Sequence, residues 1–133
     1  MTVLLVEDDP IVRSTLADFL EAAGCMLLEV ENTLAALALL GDPSRGIDVL
    51  VTDINLGPGD DGLTLAAEAR QRFPGLSIFY VTGSPERLVK RPPPSSERVF
   101  LKPFNPEDLV VAVQHAVEAK RRGSRAAPAM TES

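Results

Sequence analysis

A short apolar run that stops at a carboxylate constrains this chain most. Val49, Leu50 and Val51 follow Ile47 and Asp48 and lead through Thr52 to Asp53. The run is too short for an independent helix and rich in β-branched residues, which suits a central strand covered on both faces. Ile54-Asn55-Leu56 and the turn-formers Gly57, Pro58 and Gly59 come next. In an open α/β sheet such an exit acid lies at the carboxyl edge, where these folds place their ligands.

The rest of the chain supplies four more strands and five helices. Val3–Val6 reads as a first buried strand, ended by Glu7-Asp8-Asp9-Pro10, with Asp9 as N-cap and Pro10 at the first helical position. Val12, Leu16, Phe19, Leu20 and Ala23 recur at helical spacing before Gly24. Met26–Val30 is a second strand. Asn32 or Thr33 caps a short helix whose expected apolar face carries Leu34, Leu37 and Leu40. The central strand is expected from about Ile47 to Asp53, and Asp61 caps a helix ended by Pro74-Gly75. Ser77–Thr82 is a fourth strand. The triple proline Pro92-Pro93-Pro94 limits the next helix to about two turns. Val99–Leu101 is a short fifth strand ending at Lys102-Pro103, and Asn105-Pro106-Glu107-Asp108 starts the last helix. Strict alternation of strand and helix predicts a parallel sheet with helices on both faces. We expect a domain over 1–120 and a flexible tail over 121–133.

At 133 residues the chain has room for one core. A net charge of −6 argues against a nucleic-acid-binding face, and a single cysteine, Cys25, excludes an intrachain disulfide. No signal peptide or membrane-spanning stretch is read, so a cytoplasmic location is expected.

Four strand ends carry polar chemistry: Glu7-Asp8, Asp53, Thr82 and Lys102. Two carboxylates about 4 Å apart repel by about 4 kcal/mol at an effective dielectric near 20. A converging Glu7–Asp8–Asp53 trio therefore calls for a cation. Oxygen-only ligands without a nearby histidine favour Mg²⁺, and the Asn55 backbone carbonyl is placed to join them. A lysine ammonium and a threonine hydroxyl suit a phosphoryl group beside the metal, and an aspartate can accept it as an acyl phosphate.

The ordered set Leu4-Leu5-Val6-Glu7-Asp8-Asp9-Pro10, Asp53 with Asn55, Val81-Thr82 and Leu101-Lys102-Pro103-Phe104 resembles the receiver domains of two-component response regulators, over Thr2 to about Ala119. The resemblance implies a flavodoxin-like three-layer α/β sandwich with a five-stranded parallel sheet of order 2-1-3-4-5 and five helices, the fourth short or irregular. It implies Asp53 as phospho-acceptor, and Asp8, Glu7, Asp53 and the Asn55 carbonyl as Mg²⁺ ligands. Thr82 becomes the switch hydroxyl and Lys102 the phosphate-sensing lysine. The implied donor is a sensor histidine kinase or histidine phosphotransfer protein, with output through contact with a further protein. Such a protein is no enzyme on other substrates and is a monomer or weak homodimer. With about a dozen residues after the last helix, a stand-alone regulator or phosphorelay shuttle is expected.

Three features depart from the family's usual pattern. Val99 stands where an aromatic residue is usual, three before Lys102. The triple proline cuts the fourth helix region, and the loop from Leu56 to Gly62 is one residue longer than common. Among other readings, an aspartate-nucleophile phosphohydrolase would need an acid where Asn55 stands. A bare interaction module would not require the acids, hydroxyl and lysine together, and no phosphate-cradling loop supports flavin binding. His115 reads as a surface residue, Cys25 as a small partly buried one, Arg98 as exposed, and Lys120-Arg121-Arg122 as a helix C-terminal cluster.

Overall fold

In a computed structural model, residues 1–132 are described, with side chains as far as Arg122. Strands β1 (Thr2–Val6), β2 (Met26–Val30), β3 (Val49–Asp53), β4 (Ser77–Thr82) and β5 (Arg98–Leu101) alternate with helices α1 (Pro10–Ala22), α2 (Thr33–Leu40), α3 (Gly62–Arg72), α4 (Glu86–Lys90) and α5 (Pro106–Glu132). The strands pair in parallel in the order β2-β1-β3-β4-β5, as the resemblance implied. The expected tail lies, from residue 123 onward, outside the described side chains. Among the described residues, no helix is long and apolar enough to cross a membrane.

Every residue of β3 is buried, because the strand alternates between two apolar cores. Val49 and Val51 join Val3, Leu5, Phe79 and Val81 under α1 and α5, while Leu50 joins Leu4, Val6, Ile78 and Tyr80 on the α2–α3 side. The register then sets the carboxyl edge. Val6 is level with Thr52, Asp53 with Val81, and Thr82 with Leu101. Glu7 and Asp53 are therefore level, Thr82 lies one residue further on and Lys102 two, so all four leave the sheet at one edge.

Helix starts follow the side-chain chemistry read from the sequence. Asp9 Oδ1 accepts from the Ile11 and Val12 amides at 2.9 and 3.3 Å, and Asn32 Oδ1 accepts from Ala35 N at 2.9 Å. Asp61 Oδ1 accepts from Leu63 N at 2.7 Å and Asn105 Oδ1 from Glu107 N at 3.0 Å.

Three details differ from the expectation. β3 begins at Val49 and not at Ile47, since Asp48 turns its carboxylate back to accept from Thr2 N–H at 2.9 Å. In α2 the buried positions are Ala36 and Leu40, one turn apart. Leu34 precedes Ala36 by two residues, which turns it to the opposite side, and it is 82% exposed. α4 has five residues, about 1.4 turns, shorter than the two turns read from the prolines.

One close approach shapes the loop after β3. Gly62 N–H donates to Ile54 O at 2.7 Å, and a Cβ at Gly62 would overlap the backbone carbonyl of Asp53. Backbone cannot yield there as a flexible side chain would. Gly62→Ala should lower stability by about 2 kcal/mol or more in denaturant unfolding. Gly83→Ala, at a position where an added Cβ meets nothing within 4 Å, should change it by less than about 0.5 kcal/mol.

Candidate functional site

The loop after β1 carries Glu7 and Asp8, and the end of β3 carries Asp53. One carboxylate oxygen from each lies within 4.8 Å of those of the other two. Glu7 has no exposed surface and Asp53 is 6% exposed, whereas Asp8 faces solvent. Lys102, directly after β5, donates from Nζ to Glu7 Oε1 at 2.8 Å and to Asp53 Oδ2 at 3.0 Å. One ammonium thus bridges the two buried acids. The Lys102–Pro103 peptide is cis.

Burial is the chief influence on Glu7. It pushes the carboxyl up to about 7, with the Asp53 charge adding to it and the Lys102 and Asp9 N–H hydrogen bonds opposing it. Lys102 is raised above its ordinary value: burial works against its charge, and the hydrogen bonds and charges of Glu7 and Asp53 outweigh burial. The site without a cation is therefore over-supplied with negative charge despite its lysine. Three converging carboxylates with oxygen donors alone fit a hard divalent cation.

The remaining sequence-derived residues lie at the same edge. Asn55 N–H donates to Asp53 Oδ1 at 3.2 Å, which anchors the chain that carries the Asn55 carbonyl. Thr82 is fully buried, and its Oγ1 accepts from Ser84 N–H at 2.9 Å; its hydrogen bond goes to the β4–α4 loop and not to the acids. Backbone joins it to the lysine, since Lys102 N–H donates to Thr82 O at 2.8 Å. His115 and Arg98 are exposed, and Cys25 is 7% exposed.

Several residues that shape the site were not singled out in the sequence. Arg13 Nη1 donates to Glu7 O at 2.7 Å and so ties α1 to the acidic turn. Asp60 Oδ2 accepts from Thr33 N–H at 3.0 Å, so the long glycine-proline loop is pinned on the start of α2. Arg91, at the C-cap of α4, reaches back to Asp61 Oδ2 at 2.8 Å and Thr64 Oγ1 at 3.3 Å. Beyond the prolines, Glu97 accepts from Tyr80 Oη at 2.6 Å and from Arg70 Nε and Nη2 at 2.8 and 2.9 Å. Tyr80 offered a signal, because a phenol in an otherwise apolar buried strand needs a partner. Arg13, Asp60 and Arg91 offered none, as their partners are distant in the sequence or belong to the backbone.

Residues 3–114 match the response regulator receiver domain family. AruR, a transcriptional regulatory protein of Pseudomonas aeruginosa, is 34% identical over 133 residues, covering 94% of this chain and 52% of its own. The chain spans between 12% and 52% of the lengths of the curated relatives it matches. A response regulator receiver protein from Sinorhizobium medicae superposes with a TM-score of 0.81 at 28% identity, covering 90% of this chain and 96% of that one. The response regulator TrrA of Thermotoga maritima, solved with Mg²⁺ and BeF, gives a TM-score of 0.73 at 26% identity, covering 86% and 97%. With the acids, hydroxyl and lysine at one sheet edge and a family match across most of its length, the chain belongs to the response regulator receiver domains of two-component phosphorelay signalling.

Proposed function

We propose that Asp53 accepts the phosphoryl group, from a sensor histidine kinase or histidine phosphotransfer protein. The observation that carries this reading is the Lys102 ammonium held between Glu7 and Asp53 at the mouth of the sheet. An Asp53 carboxylate oxygen forms the new bond to phosphorus as the donor's P–N bond breaks. The departing imidazole nitrogen keeps the bonding pair and regains a proton from solvent. Lys102 neutralises a phosphoryl oxygen, and the Thr82 hydroxyl donates to another after leaving Ser84 N–H. Glu7, Asp8, Asp53 and the Asn55 carbonyl are the groups that would hold Mg²⁺. When bound, that ion supplies further charge neutralisation at the phosphoryl oxygens. TrrA, crystallised with Mg²⁺ and BeF, supports the same cation here.

The receiver unit is assigned to residues 1–120, with 121–133 as a tail. Its catalysis is confined to its own phosphorylation and dephosphorylation. Output passes by contact with a downstream protein, from a cytoplasmic monomer or weak homodimer.

Asp53→Asn should abolish acid-labile labelling by a small phosphodonor in Mg²⁺, whereas the wild type becomes labelled. Undiminished labelling of the variant, read by intact mass, would overturn the assignment.

The raised Glu7 carboxyl gives a second test. Between pH 4.5 and about 7 the metal-free native state keeps a proton that the unfolded chain has released. Stability therefore falls as pH rises through that window. In chelator, the thermal midpoint should drop across this range by more in the wild type than in Glu7→Gln. Saturating Mg²⁺ should raise the wild-type midpoint most at the upper end.

A further inference from the structure

Beside the acid trio, and sharing Asp8 with it, the structure opens a vestibule of about 540 Å³, lined by Asp8, Asn55, the Gly57–Asp61 loop and Arg87. Three of its lining side chains are carboxylates: Asp8, Asp60 and Asp61. Asp61 is already paired with Arg91, and Asp60 accepts from Thr33 N–H and from Asp61 N–H. Arg87 is the one cation in the lining, and among the described residues its side chain has neither an ion pair nor a hydrogen bond. Its direction follows from its neighbour. Arg91 caps the end of α4 and donates its N–H to the Arg87 carbonyl at 3.3 Å, one turn back, and its guanidinium is fixed to Asp61 and Thr64. The pair that anchors α4 over the β3–α3 loop thereby delivers Arg87 to the vestibule.

A phosphodonor is anionic and must approach an edge crowded with carboxylates. Arg87 apart, every charged side chain in the lining is acidic, and of those only Asp61 is paired with a cation among the described residues. We propose that Arg87 is a donor-positioning residue: it draws the anionic phosphodonor into the vestibule and holds its charge while the phosphoryl group reaches Asp53. This rests on Asp53 being the acceptor. Its role is distinct from that of Lys102, which is half-sunk between Glu7 and Asp53, whereas Arg87 is solvent-exposed and meets the donor first. Such steering is electrostatic, so it weakens as salt screens it.

The test compares acetyl phosphate with phosphoramidate, which carries less negative charge. In each case the donor's bond to phosphorus breaks as the Asp53–phosphorus bond forms, and acetate or ammonia leaves. Initial labelling rates are measured against donor concentration in Mg²⁺, for wild type, Arg87→Ala, Arg87→Lys and Arg87→Glu. At low ionic strength Arg87→Ala should raise the half-saturating acetyl phosphate concentration roughly tenfold, and Arg87→Glu should raise it further. Arg87→Lys should restore most of the loss. The effect should be smaller for phosphoramidate and should shrink at high salt. The thermal midpoint should be unchanged and Mg²⁺ affinity in the absence of donor should not fall, whereas a merely structural role for α4 would lower both. Equal concentration dependence for wild type and Arg87→Ala, or a loss that neither salt nor donor charge alters, overturns the proposal. Absence of labelling in the wild type, or labelling that persists in Asp53→Asn, would instead overturn the reading of Asp53.

Discussion

The Lys102 ammonium, donating to Glu7 at 2.8 Å and to Asp53 at 3.0 Å, is the interaction on which the site's arrangement depends. It spans 95 and 49 residues of sequence and joins the turn after β1, the end of β3 and the end of β5. Buried charges of this kind contribute little net stability, because desolvation offsets the Coulomb gain. Removing one partner is costly all the same, since it strands the others. Here the balance is unequal by composition: two buried acids and the exposed Asp8 face one lysine. That surplus of negative charge leaves the edge receptive to a cation. It also places a positively charged group where it can turn from one acidic partner to a newly arrived anion.

The sheet brings this about through register. The two hydrophobic cores require β3 to be covered on both sides, which fixes the alternation of Val49, Leu50 and Val51 and, with it, where Asp53 leaves the apolar interior. Thr82 is level with Leu101, so the next residue, Lys102, can donate its backbone N–H to the Thr82 carbonyl. Threonine and lysine are thus joined along the main chain before any side-chain chemistry is considered. Gly62 supplies the complementary constraint: α3 starts against the Asp53 carbonyl, at a separation that admits no Cβ.

Much of this was legible in the sequence because the signals were local. Strand runs, capping residues and exit acids each occupy a few adjacent positions, and Asp9, Asn32, Asp61 and Asn105 cap the helices expected of them. Convergence of Glu7, Asp8, Asp53 and Lys102 followed from strand ends sharing an edge. Contacts between non-adjacent segments were not legible. Nothing near Arg13 marks Glu7 O as its acceptor, and Asp60 appeared as part of a turn, although it holds the start of α2. Leu34 was misplaced because three leucines at helical spacing outweighed Ala36, a small residue that fits beneath the sheet face and is fully buried. An alanine gives weak periodicity even when it lies at the contact.

The proline segment shows how the missed contacts alter the molecule's mechanics. As sequence, Pro92-Pro93-Pro94 only shortens a helix. In the structure it lies between two anchors: Arg91 on Asp61 and Thr64 at the start of α3 before it, and Glu97 on Arg70 of α3 and Tyr80 of β4 after it. Prolines fix φ, so Pro92–Pro94 have little backbone freedom, and Ser95-Ser96 then turn the chain, with Glu97 N–H donating to Pro94 O at 3.0 Å. The Arg91 anchor touches the loop that lines the vestibule, and the Glu97 anchor immediately precedes β5, whose far end bears Lys102. Tyr80, two residues before Thr82 in β4, joins the second anchor from within the sheet. Val99 lacks the bulky ring that receiver domains usually carry at this position. The proline segment connects the loop beside Asp53 with the strand that leads to Lys102. Through Tyr80 and Glu97, β4 and the start of β5 are both tied to α3, and α3 begins against the Asp53 carbonyl.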